Sequence, residues 1–252
     1  MHSSFREHDI LEIARTQGKV TVDALALHFD VTVQTIRRDL TQLANAGLLE
    51  RVHGGAMLPS GVRNIAYEER RRVNAEAKDA MAAAAAQDIP NGSSLFVNIG
   101  TSTEALAQAL LGHDGLLVVT NNLNVARILS ANERCEVLLT GGRPRPEDGG
   151  LVGQVAAQMV NGFAFDYAIL GCSALTETAE AFDFDIDEIT VSQAAMSRAN
   201  AVWLLADQSK YQRHAPVRIA GPEAFDRLYT DAISEPLATQ CALCDTKVCL
   251  CP

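Results

Sequence analysis

Two things are scarce in this sequence of 252 residues: long apolar runs and positive charge. No apolar stretch approaches the ~20 residues that a membrane-spanning helix requires, and the opening MHSSFREHD has no apolar signal-peptide core. These absences exclude an integral membrane protein, and we expect a cytoplasmic protein with no membrane partner. Hydrophobic residues still make up 48% of the chain, which is enough to bury a substantial core in one large or two modest domains.

Cysteines are few, and their spacing leaves two interpretations open. Cys135 and Cys172 stand alone in apolar surroundings, which predicts core positions. The other four form a C-x2-C-x4-C-x-C pattern at Cys241, Cys244, Cys249 and Cys251. Thiolates at such separations can meet around zinc, but Cys244–Cys251 also has the pattern of a last strand. Because two thiols would have to leave a strand face to converge on an ion, we favour the strand and predict neither a metal nor a cofactor.

The segment Val31–Leu40, VTVQTIRRDL, carries two opposed faces at helical spacing. Ile36, Leu40 and Leu43 recur at i, i+4 and i+7 and form an apolar stripe suited to packing on other helices. Thr32 stands at the expected N-cap position. The second face is polar and basic, as base edges and phosphates of a DNA major groove require, and it consists of Gln34, Arg37, Arg38 and Thr41.

An isolated helix of this kind is also explained as a surface helix with a solvated charge stripe, but the neighbouring segments favour DNA binding. Arg6–Thr16 and Thr21–Phe29 are predicted helices, and a short break at Asp30–Val31 gives helix-turn-helix spacing. Leu48–Val52 is a predicted strand that leads into the tight turn His53–Gly55, the pattern of a wing beside the DNA backbone.

The order TIRRDL followed by GLLERVHGGA (Gly47–Ala56) resembles the winged helix-turn-helix of the DeoR family of bacterial repressors, and the match extends from Phe5 to Leu58. The resemblance implies a sequence-specific repressor whose partner is double-stranded operator DNA. The predicted DNA contacts are Thr32, Gln34, Thr35, Arg37, Arg38, Thr41, Arg51 and His53.

The charge distribution adds an expectation about assembly. Residues 1–72 hold ten Lys and Arg against nine Asp and Glu, whereas the remaining residues hold 11 against 22. An acidic body behind a near-neutral DNA-binding segment weakens non-specific adhesion to DNA, so affinity must rely on a few placed cations. We therefore expect two such segments on a paired site, in a homodimer or a homotetramer.

The rest of the chain alternates between predicted strands and helices, which indicates an α/β fold with a parallel sheet covered on both faces. We predict a DNA-binding domain at 1–58, a linker at 59–74 and an α/β effector-binding and oligomerisation domain at 75–252. The predicted strands are Leu95–Ile99, Leu116–Val119, Val137–Leu139, Ala168–Leu170 and Val202–Leu205, and the predicted helices are Ala75–Gln87, Thr103–Leu111, Leu123–Ser130, Val152–Val160 and Ile189–Ala199.

Polar residues and glycines follow each of these strands, where parallel sheets bind ligands. Asn98–Thr103 opens a helix with free amides and hydroxyls, a ready anion site. Each turn alone is equally well explained as an ordinary capped turn. Together they bring two guanidiniums and an ammonium to one rim, which predicts a phosphate pocket. The other turns are Thr120–Asn122, Gly141–Arg145, Gly171–Ser173 and Asp207–Lys210.

The same positions resemble the DeoR family's C-terminal sensor, whose fold is similar to sugar-phosphate isomerases. The resemblance implies a phosphorylated effector that loosens binding to DNA, with contacts at Asn98, Gly100, Thr101, Ser102, Thr103, Asn121, Arg145, Gly171 and Lys210. Motifs such as Asn121–Ala126 and Asp148–Gly150 resemble the glycerol-3-phosphate-responsive members of the family. Asn98 and Ser192 depart from the family, which has Asp and Lys at these positions.

Besides a repressor released by glycerol 3-phosphate, the sequence leaves three other functions to consider. The first is a repressor that responds to another sugar phosphate. The second is an effector-independent repressor whose vestigial pocket serves only oligomerisation, although Arg145 and Lys210 count against it because lone cations at a rim are costly to desolvate. The third is an isomerase with a base from the DFDIDE run (Asp183–Glu188), which we interpret instead as a solvated acidic edge. We therefore predict that the protein is not an enzyme.

Overall fold

The computed structural model describes residues 2–17, 19–45, 48–52, 54–57, 67–211 and 213–251. Contacts divide the chain into two compact units, Met1–Ile65 and Ala66–Pro252. Among the described residues, none of the helices combines the length and the apolar character needed to cross a membrane. The domain and linker boundaries at residues 58 and 74 stay a prediction.

The first unit combines three helices, as the sequence predicts, with a small antiparallel sheet of which the sequence predicts only the strand at Leu48–Val52. Its helices are α1 (His2–Gln17), α2 (Val22–His28) and α3 (Val33–Asn45). Its strands are β1 (Lys19–Thr21), β2 (Glu50–Val52) and β3 (Gly55–Met57), in the order β1-β3-β2. The apolar stripe of α3 is buried beside Ile10 of α1 and Leu25 of α2, so burial of these faces holds the helices and the hairpin together.

The second unit is built on a parallel sheet of seven strands in the order β15-β14-β12-β9-β4-β5-β6. Those strands are β4 (Ser94–Val97), β5 (Leu116–Thr120), β6 (Cys135–Leu139), β9 (Phe165–Gly171), β12 (Ala199–Leu205), β14 (Arg227–Thr230) and β15 (Lys247–Leu250). The remaining strands are β7 (Arg143–Arg145) and β8 (Gly150–Val152), which form a hairpin, and β10 (Ala174–Leu175), β11 (Ala181–Asp183) and β13 (Val217–Ala220), which form a small sheet.

Helices cover both faces of the large sheet. They are α5 (Ala75–Asp88), α6 (Thr101–Ala109), α7 (Leu123–Leu129), α8 (Gln154–Val160), α9 (Ile186–Met196) and α10 (Glu235–Leu243), and a short helix, α4 (Tyr67–Arg72), precedes them in the chain. Leu95 and Val97 pack in the layer beneath α5, α6 and α7, whereas Phe96 packs in the layer beneath α8, α9 and α10. This alternation follows from the two-residue period of a strand that is buried on both sides.

The structure differs from the predicted elements mainly after residue 140. The helix predicted at Val152–Val160 begins only at Gln154, because Gly150–Val152 pairs with Arg143–Arg145 in the hairpin. Strand β14 and helix α10 have no counterpart in the prediction. Among the terminal cysteines, Cys249 lies in β15 whereas Cys244 caps α10. Within the described ranges, no three His, Cys, Asp or Glu side chains form a group that could hold a metal ion.

Candidate functional site

Helix α3 has one buried face and one exposed polar face. Ile36, Leu40 and Leu43 are buried, as their spacing predicts. Four of the predicted DNA contacts are exposed on this helix, namely Gln34, Arg37, Arg38 and Thr41. The helix therefore presents two guanidiniums, an amide and a hydroxyl, which are groups that bind base edges and phosphates in a major groove.

Thr32 and Thr35 form the N-terminal cap of α3. The Thr32 Oγ1 accepts a hydrogen bond from the Thr35 backbone N–H over 3.2 Å, and the two hydroxyl oxygens are 2.9 Å apart. The predicted capping role of Thr32 is confirmed. Thr32 is exposed and Thr35 half-buried, so the positive end of the helix dipole at this turn is open to an approaching phosphate.

The β2–β3 hairpin supplies the predicted wing. Arg51 is exposed in β2, whereas His53, the other predicted contact, lies outside the described residues. Gly54 adopts a φ of 77°, and a Cβ on Gly55 would lie 1.9 Å from the Val20 carbonyl oxygen. The two glycines are therefore required for different reasons, since the first permits the turn and the second lets β3 approach β1.

An ion pair that the sequence reasoning missed fixes α3 against α1. The Arg6 guanidinium binds the Asp39 carboxylate through two hydrogen bonds, of 2.6 Å from Nε and 3.2 Å from Nη2. Asp39 is 2% exposed. The pairing raises the pKa of Arg6, chiefly through this hydrogen bond. A signal was present in the sequence, because Asp39 is three residues from Ile36 and so falls on the buried face of the helix.

In the second unit, a cavity lies at the carboxyl ends of the central strands, the edge where the sequence predicts a ligand site. It is walled by α4, the β4–α6 turn, the end of β9, β11, α9 and the short turn Gln208–Lys210. Its lining residues are Arg70, Ile99, Gly100, Thr101, Ser102, Gly171, Cys172, Ser173, Asp183, Glu188 and Lys210. Most of these side chains are polar or charged, so the cavity suits a polar ligand better than an apolar one.

Five of the nine predicted effector contacts line this cavity, namely Gly100, Thr101, Ser102, Gly171 and Lys210. Three of them form the turn that opens α6, a helix of nine residues. The first amides of a helix have no partner within the helix, and its dipole is positive at this end. The turn is therefore able to bind an anionic group of a ligand.

The other four predicted contacts do not appear among the described lining residues. Asn98 instead joins β4 to β9, because its Oδ1 accepts a hydrogen bond from Gly171 N over 2.9 Å. The Thr103 hydroxyl donates to the Asn98 carbonyl oxygen over 2.9 Å. Asn121 donates from Nδ2 to the Leu151 carbonyl oxygen over 3.1 Å and so fastens the β7–β8 hairpin. These three side chains shape the walls around the cavity.

Arg145, the fourth of these residues, is occupied by carboxylates of the chain itself. Its Nε and Nη2 each lie 2.8 Å from an Asp148 oxygen, Nη1 lies 3.1 Å from Asp185, and Nη2 lies 2.6 Å from Glu188. Burial alone would lower the pKa of Arg145, but Glu188 and Asp148 outweigh it and raise that pKa. In this structure Arg145 is therefore paired with acidic side chains of the protein itself.

The interpretation of the DFDIDE run as a solvated acidic edge is wrong. Asp183 is 7% and Glu188 4% exposed, and Asp185 caps the N-terminus of α9. Burial, reinforced by the negative charge of Asp183, raises the pKa of Glu188 to about 8. Glu188 is three or four residues from the buried Val191 and Ser192, so the helical period of α9 would have placed it on the inner face.

Lys210 brings a buried ammonium group to the cavity. It is 6% exposed, and its Nζ makes no hydrogen bond to any residue that the structure describes. Burial lowers the pKa of Lys210 to about 8; the nearby Arg213 adds to this effect and Asp207 opposes it. Burial would raise the pKa of Asp207, but Lys210 and the Ser209 hydrogen bond lower it. A ligand anion would supply the buried lysine with a hydrogen-bond partner.

The cavity thus combines two kinds of recognition group. The α6 amides and Lys210 suit an anion, and the Asp183 and Glu188 side chains suit ligand hydroxyls. Asp183 Oδ1 already accepts hydrogen bonds from Ser173 Oγ over 2.9 Å and from Phe184 N over 2.7 Å, which fixes its orientation. An anionic group with neighbouring hydroxyls is the chemistry that this arrangement fits.

Two family models match separate parts of the chain. Residues 6–62 match the DeoR-like helix-turn-helix domain, and residues 73–232 match the DeoR C terminal sensor domain. The glycerol-3-phosphate regulon repressor of Escherichia coli is 40% identical over 92% of this chain and 92% of its own length. The Haemophilus influenzae protein of the same name is 38% identical over 100% and 98%. The repressor CsqR of Escherichia coli is 38% identical over 96% and 93%.

Solved structures with a similar fold are more distant. Ribose 5-phosphate isomerase A from Neisseria gonorrhoeae is 15% identical with a TM-score of 0.40, over 53% of this chain and 52% of that one. The eIF2B beta subunit from Chaetomium thermophilum is 14% identical with a TM-score of 0.43, over 61% and 50%.

Proposed function

Because the chain belongs to the DeoR family, we propose that it is a transcriptional repressor whose binding to operator DNA is released by a phosphorylated metabolite, first of all glycerol 3-phosphate. The observation that carries this proposal is a cavity with a buried ammonium group and a helix N-terminus, in the same chain as a helix-turn-helix. The relatives named as glycerol-3-phosphate regulon repressors support the choice of effector.

In this proposal the first unit binds the operator. Helix α3 enters the major groove, where Arg37, Arg38 and Gln34 contact base edges and phosphates. The DNA backbone near both ends of α3 is bound by Thr32, Thr35 and Thr41. Adjacent phosphates are bound by the wing residues Arg51 and His53. Residues 1–58 form the DNA-binding domain, residues 59–74 the linker, and residues 75–252 the domain that binds the effector and oligomerises. The protein acts in the cytoplasm as a homodimer or homotetramer.

The second unit binds the effector. The phosphate lies on the amides and hydroxyls of Gly100, Thr101 and Ser102, with Lys210 as its counter-charge. Gly171 closes the floor of the cavity, and the carboxyl groups of Asp183 and Glu188 accept hydrogen bonds from the ligand hydroxyls. Four other residues support the site without contacting the ligand, because they hold the strand ends in place; they are Asn98, Thr103, Asn121 and Arg145.

Two alternatives are kept as outcomes of the test. A repressor that responds to another sugar phosphate would bind a longer ligand with the same groups of the cavity. An effector-independent repressor is favoured by one observation, the pairing of Arg145 with three acidic side chains of the chain itself. Lys210 opposes it, because nothing in the described part of the chain accepts a hydrogen bond from its ammonium group. Catalysis is not proposed, since the relatives that span the chain are named as repressors.

The decisive experiment measures binding of the purified protein to its own upstream intergenic DNA at fixed salt, with and without glycerol 3-phosphate. Release of the DNA by the ester is the expected result. If the complex persists with this ester but another sugar phosphate releases the DNA, that sugar phosphate is the effector. If no sugar phosphate releases the DNA, the protein is an effector-independent repressor.

Two substitutions test the two sites separately. Arg38→Ala is expected to weaken operator binding by more than about 1 kcal/mol, since one good base contact contributes about 1–3 kcal/mol. Lys210→Ala is expected to leave DNA binding intact and to abolish release. Lys247→Ala, an exposed lysine of the same unit, is the matched control and should behave as the wild type.

A further inference from the structure

Hydrogen bonds anchor the α4–α5 segment to neighbouring parts of the second unit and join its two helices to each other. Asn74, the residue between the helices, donates from Nδ2 to Asp207 Oδ1 over 2.8 Å. Tyr67, at the start of α4, donates to Glu104 over 2.6 Å. Lys78 donates from Nζ to the carbonyl oxygens of Arg70 and Val73. A six-residue helix has little stability of its own, so the position of α4 depends on these anchors.

Arg70 is the side chain that α4 sends into the cavity. It is 12% exposed and lines the same space as Gly100, Thr101 and Lys210. The Thr101 hydroxyl donates to its carbonyl oxygen over 3.4 Å, so its backbone touches the first turn of α6. Its Nε is buried and has no hydrogen-bond partner among the described residues. An anion bound at the α6 turn would therefore face an arginine with a donor to offer.

In this structure Arg70 is held by a carboxylate that does not depend on it. Arg70 Nη2 lies 2.9 Å from Asp148 Oδ2. Asp148 also receives two hydrogen bonds of 2.8 Å from Arg145. Burial would raise the pKa of Asp148, but Arg145 and Arg70 lower it. If Arg70 turned away, Asp148 would keep its bidentate partner, so the Arg70–Asp148 bond is the one most easily exchanged.

We propose that Arg70, which lies within the predicted linker at 59–74, is also an effector-binding residue: a phosphate in the cavity takes Arg70 from Asp148 and thereby moves α4. This inference rests on the proposed function, because it assumes that the cavity binds a phosphorylated effector. Helix α4 lies directly after the segment that leads out of the first unit in sequence. Occupancy of the cavity thus changes the anchoring of the chain that leads to the DNA-binding domain.

Hydrogen–deuterium exchange of the full-length protein tests the proposal, with glycerol 3-phosphate and inorganic phosphate as probes. In the wild type we expect either anion to change the exchange of amides at 98–104 and at 67–74 together. In Arg70→Gln the anion should bind about tenfold more weakly, and at saturation only 98–104 should respond. Arg72→Gln removes an exposed charge from the same helix and should match the wild type.

The outcomes distinguish a failure of the Arg70 role from a failure of the proposed effector site. A wild-type response at 98–104 without one at 67–74 overturns the role of Arg70 and leaves the proposed effector site intact. A response at neither segment, with either probe, overturns the effector site and the inference with it. If saturating effector still releases the Arg70→Gln variant fully from operator DNA, the inference is also overturned. That result would show that α4 does not couple the cavity to DNA binding.

Discussion

Asp39 shows how much a single buried carboxylate contributes to the DNA-binding unit. Asp39→Asn would weaken two hydrogen bonds to Arg6 and leave a half-buried guanidinium poorly compensated. We expect the free energy of unfolding of this unit to fall by about 1–3 kcal/mol. Urea denaturation followed by exchange of α3 amides would measure it. In Arg6→Ala/Asp39→Asn the two effects should not add, and full additivity would show that the pair does not couple.

Glu188 makes stability depend on pH in a direction unusual for an acid. Its pKa is about 8 in the folded protein against an ordinary 4.5, so between these values the folded state keeps a proton that the unfolded chain has lost. Its stabilising contribution is complete below pH 4.5 and is lost as the pH rises to about 8. The slope for one such proton approaches about 1.4 kcal/mol per pH unit.

Glu188→Gln cannot ionise, so it is expected to flatten the decline in the free energy of unfolding across that window. Urea midpoints at a series of pH values check this, and an unchanged slope would refute the assignment. Lys210 acts in the opposite sense at higher pH. Its folded pKa of about 8 lies below the ordinary 10.5, so stability should rise as the pH climbs from about 8 towards 10.5.

Among the elements, the β2–β3 hairpin offers a matched pair of substitutions. Gly55→Ala places a Cβ 1.9 Å from the Val20 carbonyl oxygen, so β3 cannot keep its pairing with β1. Gly54→Asn meets no atom within 4 Å and keeps a residue that tolerates a φ of 77°. We expect the first variant to lose operator binding and unfold at lower temperature, and the second to resemble the wild type. Equal effects would mean that the close approach is unimportant.

Local patterns predicted the elements whose side chains repeat with one period. The stripe of α3, the capping by Thr32 and the alternation around β4 all follow from spacing along the chain. The β7–β8 hairpin and the ion pairs of the acidic run were not predicted, because strands of three residues are too short to show a period and the ion pairs join residues 40 apart, such as Arg145 and Asp185. The contact of Arg70 with Asp148 was hidden because the two residues are 78 apart in sequence, and RNIAYEERRR reads simply as a charged connector.

For the whole molecule, the separation of charge predicts how DNA binding should scale. The near-neutral first 72 residues supply few cations and the acidic remainder repels DNA. A single DNA-binding domain should therefore bind DNA weakly. We expect an operator with two half-sites to bind at least about 100-fold more tightly than one half-site at equal salt. Fluorescence anisotropy with both DNAs measures this ratio. Equal affinities would indicate that the protein binds through one domain at a time.

The polar lining of the cavity has a thermodynamic consequence. A ligand that meets Arg70, Lys210, Asp183 and helix amides exchanges ion pairs and hydrogen bonds but removes little apolar surface from water. Since the heat capacity change of binding follows apolar burial, calorimetry at several temperatures should give an enthalpy of effector binding that barely varies. Any large negative heat capacity change would then have to arise from apolar surface that the rest of the protein buries when the cavity is occupied.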